Sequence, residues 1–220
     1  MKSAEIIPFN PLDKKNLGAS VAEALVSQPV HSLGKLETFF GTGIYAIYYH
    51  GDYVSYGAIS KPNQANKGNP VIPIYVGKAV PQGARKGKVM PDPTKSKALF
   101  GRLQEHADSI LSTDTLDIND FTCRYLVVDE IWIPLGESLM ITKFSPLWNL
   151  FLEGFGNHDP GNGRYNGLSP KWDTLHPGRA WALKCKQREE TPADIQREVQ
   201  SYLASMTLPD TPHFVGRQDI

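Results

Sequence analysis

The seven residues Gly43-Ile-Tyr-Ala-Ile-Tyr-Tyr49 constrain this chain more than any other stretch. They are β-branched or aromatic almost throughout, and such a run reads as a strand. Neighbours on a strand alternate faces, so Ile44, Ala46 and Tyr48 share one side and Tyr45, Ile47 and Tyr49 the other. A second short strand follows at Ile72-Pro-Ile-Tyr-Val-Gly77, with Pro73 near its start, where a missing N–H is tolerated. The polar stretch around 60–70, rich in Gly, Pro and Asn, reads as the loop between them.

Helices frame these strands. Residues 12–28 read as a first helix, with Asp13 placed to cap it and Leu17, Val21 and Leu25 at a helical period. Residues 80–94 form a basic, Gly/Pro-rich loop, and residues 96–112 a helix whose apolar stripe is Leu99, Leu103, Ala107 and Ile110. His106 lies inside that stripe, and Arg102 precedes it by one turn. Residues 121–133 read as a third strand, after which Pro134 opens a helix running to about Phe144. Residues 145–180, dense in Gly, Pro, Asn and Trp, read as ordered loops, and a last helix runs from Thr191-Pro192 to about Met206. No repeat, low-complexity tract or interdomain linker interrupts residues 1–220, so a single domain is expected. The expected class is α+β: a small central, mostly antiparallel sheet flanked by helices, with long loop insertions and added terminal helices.

Composition excludes several functions. With 220 residues the chain can bury a core, and no apolar run approaches the roughly 20 residues of a membrane span, so no membrane partner is expected. Residues 1–11 lack the apolar stretch of a secretory signal. Cys123 and Cys185 lack metal-ligand spacing, which argues against a disulfide framework or zinc cluster and fits a reducing cytoplasm. The 23 Lys and Arg equal the 23 Asp and Glu, and that total alone argues against a dedicated nucleic-acid binder. The distribution argues the other way. Residues 78–104 carry seven cations against Asp92, residues 103–142 eight acids against Arg124, and residues 164–188 six cations against Asp173. Segregated charge of this kind produces a local field that the total hides, although a merely solvated basic loop has the same composition.

The chemistry-bearing residues come in a fixed order. Gly43-Ile44-Tyr45 and Tyr75-Val76-Gly77-Lys78-Ala79 sit on the two strands; Arg102 and His106 share one helix face; Glu137 lies on the helix after the third strand; Asn149 follows in Ser-Pro-Leu-Trp-Asn. This ordered set, spanning residues 41–150, resembles the GIY-YIG nuclease superfamily. Val76 stands where the family has Ile, and an inserted loop lengthens the spacing between the two tyrosines. Tyr49 is a second candidate for the first tyrosine's place; Tyr45 is preferred because it directly follows Gly43-Ile44. Phe155-Gly-Asn-His-Asp-Pro-Gly-Asn-Gly-Arg164 and Leu175-His-Pro-Gly-Arg179 give the whole chain a pattern similar to the type II restriction endonucleases of the superfamily, in particular those that cut CCGCGG.

The resemblance implies a double-strand DNA endonuclease of a bacterial restriction system, with residues 41–150 as its catalytic core and residues 1–40 and 151–220 as elaborations for recognition and dimerisation. It implies a single-metal site, with Glu137 as the main protein ligand to Mg²⁺, and no organic cofactor is expected. A hard carboxylate suits an ion that keeps several waters. Arg102 offers a planar, permanent charge for a phosphate oxygen, and Lys78 a second cation. Tyr45 and Tyr75 would hold the attacking water and the phosphate. A phenol ordinarily titrates near pH 10, so Tyr45 acts as a base only if cations lower it; His106, titrating near neutrality, is the other candidate base or a relay. Asn149 is expected to orient the first tyrosine or Glu137. Plainer roles fit the same residues: core aromatics, a core histidine, an Arg102–Glu105 surface pair, a carboxylate at the helix dipole, a turn asparagine.

Arginine reads guanine, amides read adenine and carboxylates read cytosine, so Gln82, Arg85, Lys86, Asn157, His158, Asp159, Arg164 and Arg179 are candidate base contacts. A palindromic target implies a two-fold homodimer. Other expectations for the same residues are a repair or homing nuclease of the superfamily, or a catalytically silent DNA-binding module.

Overall fold

The computed structural model describes residues 10, 12–66, 68–80, 95–159, 161 and 165–206. In chain order the elements are α1 (Lys14–Val26), β1 (His31–Ser32), β2 (Gly43–Tyr49), α2 (Gly57–Ala65), β3 (Pro73–Ala79), α3 (Ala98–Leu111), β4 (Phe121–Val127), α4 (Ile133–Phe144), α5 (Leu147–Leu150), α6 (Lys171–Leu175) and α7 (Pro192–Ser205). The four strands form one antiparallel sheet in the order β1-β4-β2-β3. The class is therefore α+β, as expected.

β2 is buried from end to end because both of its faces meet a core. Tyr45, Ile47 and Tyr49 pack into one cluster with Leu99, Leu103, Trp148, Phe155, Trp172 and Val199. Ile44, Ala46 and Tyr48 pack into the other with Ala22, Leu25, Ile133, Met140 and Phe144. α1 and α4 thus cover one face, while α3, α5 and the C-terminal segment cover the other. The alternation read from the sequence sorts these side chains correctly.

The two-residue strand β1 was not in the sequence reading, and three further boundaries differ from it. The stretch around 60–70 is not wholly loop: Val54–Tyr56 forms a 3₁₀ turn that runs into α2, with Pro62 inside the helix. Tertiary contacts override propensity there. Asn63 is buried, donates to the carbonyls of Tyr49 and Ile72, and accepts from the amides of Val71 and Ile72. The third strand ends at Val127 rather than 133, because Asp129 accepts from the Ile131 amide and caps a 3₁₀ turn, Glu130–Trp132, that leads into α4. Within 145–180, two short helices, α5 and α6, punctuate the loops. The β2–β3 register slips by one residue between Ile47 and Tyr48, beside Pro73, where the ladder lacks a donor. At the far end, Thr191 and Asp194 close a capping box on α7.

Candidate active site

Pairing of β2 with β3 sets the first geometry. Tyr45 lies opposite Gly77 and Tyr75 opposite Ile47, so the two tyrosines are diagonal neighbours on one face, their ring centroids 6.3 Å apart. Gly77 is what lets Tyr45 lie across β3: a Cβ there would fall inside contact distance of the Tyr45 hydroxyl. α3 crosses above this face and brings Arg102 and His106; α4, on the strand's other side, brings Glu137 to the edge beside Lys78. A pocket of about 690 Å³ opens among Tyr45, Tyr75, Lys78, Arg102, Glu137 and His158.

His106 does not line that pocket. It is buried behind Tyr45, its Nε2 2.6 Å from the Tyr45 hydroxyl, and its ring stacks on Phe155 at 4.6 Å. Burial pushes Tyr45 well above the ordinary phenol value, with Tyr75 adding to the rise and Arg102 opposing it. Burial also pushes His106 well below the ordinary imidazole value, helped by the Arg102 charge. The pair therefore rests neutral on both sides. Burial raises Tyr75 too, and Arg102 again opposes.

Charged groups surround this neutral pair. Lys78 Nζ sits 2.6 Å from Glu137 Oε2. Arg102 donates through Nη1 to Glu105 Oε2 at 3.0 Å and to His158 Nδ1 at 3.2 Å, and through Nη2 to the Gly156 carbonyl at 2.7 Å. A guanidinium only donates, so His158 Nδ1 accepts; the His158 proton then sits on Nε2, which faces Glu105 Oε2 at 3.4 Å. Among the described residues no three His, Cys, Asp or Glu side chains form a metal cluster.

Asn149 orients neither Tyr45 nor Glu137. Its Oδ1 accepts from the Val76 amide and its Nδ2 donates to the Val76 carbonyl, both at 2.8 Å. It pins the free edge of β3 one residue beyond Tyr75. Arg179 is also corrected. It is buried, donates to both oxygens of Asp173 and to the carbonyls of Gly154, Phe155 and Asn157, and lies between the rings of Trp172 and Trp181. All five of its N–H groups are taken, so it has no donor left for a base edge. Asp159 is exposed, accepting from the Gly161 amide and the Tyr165 hydroxyl. Gln82, Arg85, Lys86 and Arg164 lie outside the described residues. The sequence reading did not single out Asp173 or the contacts of Phe155 and Gly156; the two glycines flanking Phe155 were the one local sign of a close backbone approach.

The family model described as the Eco29kI GIY-YIG domain matches residues 37–203, well over half of the chain. No curated protein matches it. No helix among the described residues is long and apolar enough to cross a membrane.

Proposed function

The chain belongs to the Eco29kI GIY-YIG family of restriction endonucleases, and from that premise we propose that it cuts both strands of DNA at a palindromic site, CCGCGG, as a homodimer using one Mg²⁺. The observation that carries this reading is the 2.6 Å contact between Tyr45 and His106 directly behind a pocket walled by Tyr75, Arg102, Lys78 and Glu137.

The donor set fits the ion. Mg²⁺ keeps most of its waters and takes one or two carboxylates, and Glu137 presents one carboxylate to the pocket beside the partly exposed Lys78. Held by Glu137, Mg²⁺ would supply charge neutralisation at the phosphoryl group and the leaving oxygen.

The residues of the chain supply the rest. Arg102, fixed by Glu105 and Gly156, offers a preorganised cation to a nonbridging phosphate oxygen. Lys78, once released from Glu137, offers a second. A water between Tyr45 and the phosphate gives its proton to the Tyr45 oxygen as the Tyr45 proton passes to Nε2 of His106. The hydroxide so formed attacks phosphorus, the ester bond breaks, the leaving oxygen takes a proton from solvent, and the proton on His106 returns through Tyr45 to solvent. The relay needs His106 neutral with Nε2 bare, and burial keeps it uncharged. It also spares the buried Tyr45 from standing as a free phenolate, which its raised pKa disfavours.

The test is digestion of a plasmid carrying one CCGCGG site, with Mg²⁺ and with EDTA, beside Glu137→Ala. A linear product that needs Mg²⁺ and is lost in Glu137→Ala is expected. A nicked circle alone would point to a one-strand nuclease, and cutting of unmethylated DNA elsewhere would overturn only the CCGCGG assignment. No cutting of any DNA would leave a binding module.

A further inference from the structure

Four consecutive carbonyls, from Gly154 to Asn157, point at two arginines. Those of Gly154, Phe155 and Asn157 accept from Arg179, and that of Gly156 accepts from Arg102. Arg179 is itself held by Asp173, nearly inaccessible and packed between two tryptophan rings. Burying such a pair is costly, and it persists only where its hydrogen bonds are complete, as they are here.

The clamped segment meets the reacting groups at three points. The Gly156 carbonyl takes Arg102 Nη2; the Gly156 Cα lies so close to the Tyr75 hydroxyl that a Cβ would collide with it; and the Phe155 ring stacks on His106 at 4.6 Å and meets the Tyr75 ring edge-on at 5.0 Å. Gly156 is not among the glycines with positive φ, so its lack of a side chain answers to this contact and not to backbone strain.

We propose that Phe155 and Gly156 are positioning residues of the nuclease site and that the Arg179–Asp173 pair is the clamp that sets them. On this account the C-terminal segment forms the second wall of the site and fixes the Arg102 guanidinium, the Tyr75 hydroxyl and the His106 ring together. The inference rests on the nuclease reading above.

Arg179→Lys keeps the charge but cannot reach three carbonyls and a carboxylate at once. Its cleavage rate should fall by about tenfold to a hundredfold, the cost of a displacement on the order of 1 Å, with DNA affinity in EDTA nearly unchanged. Gly156→Ala, which leaves the clamp itself intact, is measured as well, alone and in the Tyr75→Phe background. Removing the Tyr75 hydroxyl removes the collision, so Gly156→Ala should cost much less there than in the wild type. Equal costs in the two backgrounds, within about twofold, would overturn the inference. A third readout needs no cleavage: in DNA-free protein, Arg179→Lys should shift the NMR signals of the Tyr75 ring and the Arg102 guanidinium. Unmoved signals overturn the inference whether or not the wild type cuts DNA, whereas a wild type that cuts nothing while these signals move overturns the nuclease reading alone.

Discussion

Tyr45 and Gly77 face each other across the β2–β3 pair, and the tyrosine hydroxyl occupies the space a side chain at 77 would need. The glycine of the second motif is therefore the floor on which the tyrosine of the first one lies. Gly77→Ala should push the Tyr45 ring away from His106 and cost about 1–3 kcal/mol by overpacking. Cleavage should fall further than that loss of stability explains. Denaturant unfolding and single-turnover cleavage on the same preparation separate the two, and an unchanged rate in a destabilised protein would show that the floor is only structural.

The proposed proton relay has a pH signature. In that proposal His106 must be neutral to accept from Tyr45, and burial holds its pKa well below the usual 6.5. The acid limb of the cleavage rate should then lie well below the ordinary histidine range, leaving the rate flat through pH 6.5. His106→Gln can still accept a hydrogen bond but cannot take a proton, and should lose about 10²–10⁴ in rate with DNA affinity kept. An acid limb centred near pH 6.5 would argue for an exposed histidine instead.

A second Tyr–His contact governs stability rather than catalysis. Trp148 donates to the Tyr56 hydroxyl, which in turn lies 2.6 Å from His176 Nε2; His176 Nδ1 lies 2.7 Å from Thr115 Oγ1. Neutral His176 bridges the Tyr56 and Thr115 hydroxyls, one ring nitrogen donating and the other accepting. Burial lowers its pKa from 6.5 to about 3. Because the folded value lies below the unfolded one, this contribution is complete above about pH 6.5. As pH falls from there toward 3, the unfolded chain takes up the proton first, and stability drops by up to about 1.4 kcal/mol per pH unit from this histidine. Urea unfolding between pH 7 and pH 4 should show that slope reduced in His176→Gln, and an equal slope in both proteins would refute the assignment.

The sheet and the candidate site residues Tyr45, Arg102 and His106 were legible because their signals are local. Alternation along β2 sorts Tyr45 from Ile44, and the i, i+4 spacing brings Arg102 and His106 to one helix face, without knowledge of anything distant. α2 was not legible, because Pro62 and Asn63 are loop-formers until Asn63 reaches Tyr49 and Ile72, contacts that exist only in the folded chain. The end of β4 was missed because residues 128–133 keep a β-like composition while Asp129 bends them into a turn. Arg179 read as a DNA contact because arginine reads guanine and it lies in a late loop, and only the fold puts Asp173 and three carbonyls around it. For α2 and Arg179, contacts made only in the folded chain separate what was read from what was not.

Asn149 is the plainest case of a site residue whose role the fold redefines. Val76 lies opposite Ala46, and β3 has β2 on one side only, so a residue whose amide and carbonyl point outward needs a partner from elsewhere. The Asn149 side chain is that partner, donating one bond and accepting one, as a neighbouring strand would. Asn149→Ala leaves both Val76 groups unpaired where Val76 is fully buried, a cost of about 1–3 kcal/mol for each orphaned group. Asn149→Asp keeps the acceptor for the Val76 amide but turns a carboxylate oxygen toward the Val76 carbonyl, so it should not restore stability. Exchange of the Val76 amide hydrogen should quicken in Asn149→Ala, and cleavage should fall mainly in kcat, because the strand that loosens carries Tyr75. A Val76 amide as protected in Asn149→Ala as in the wild type would mean that Asn149 acts on the site by another route.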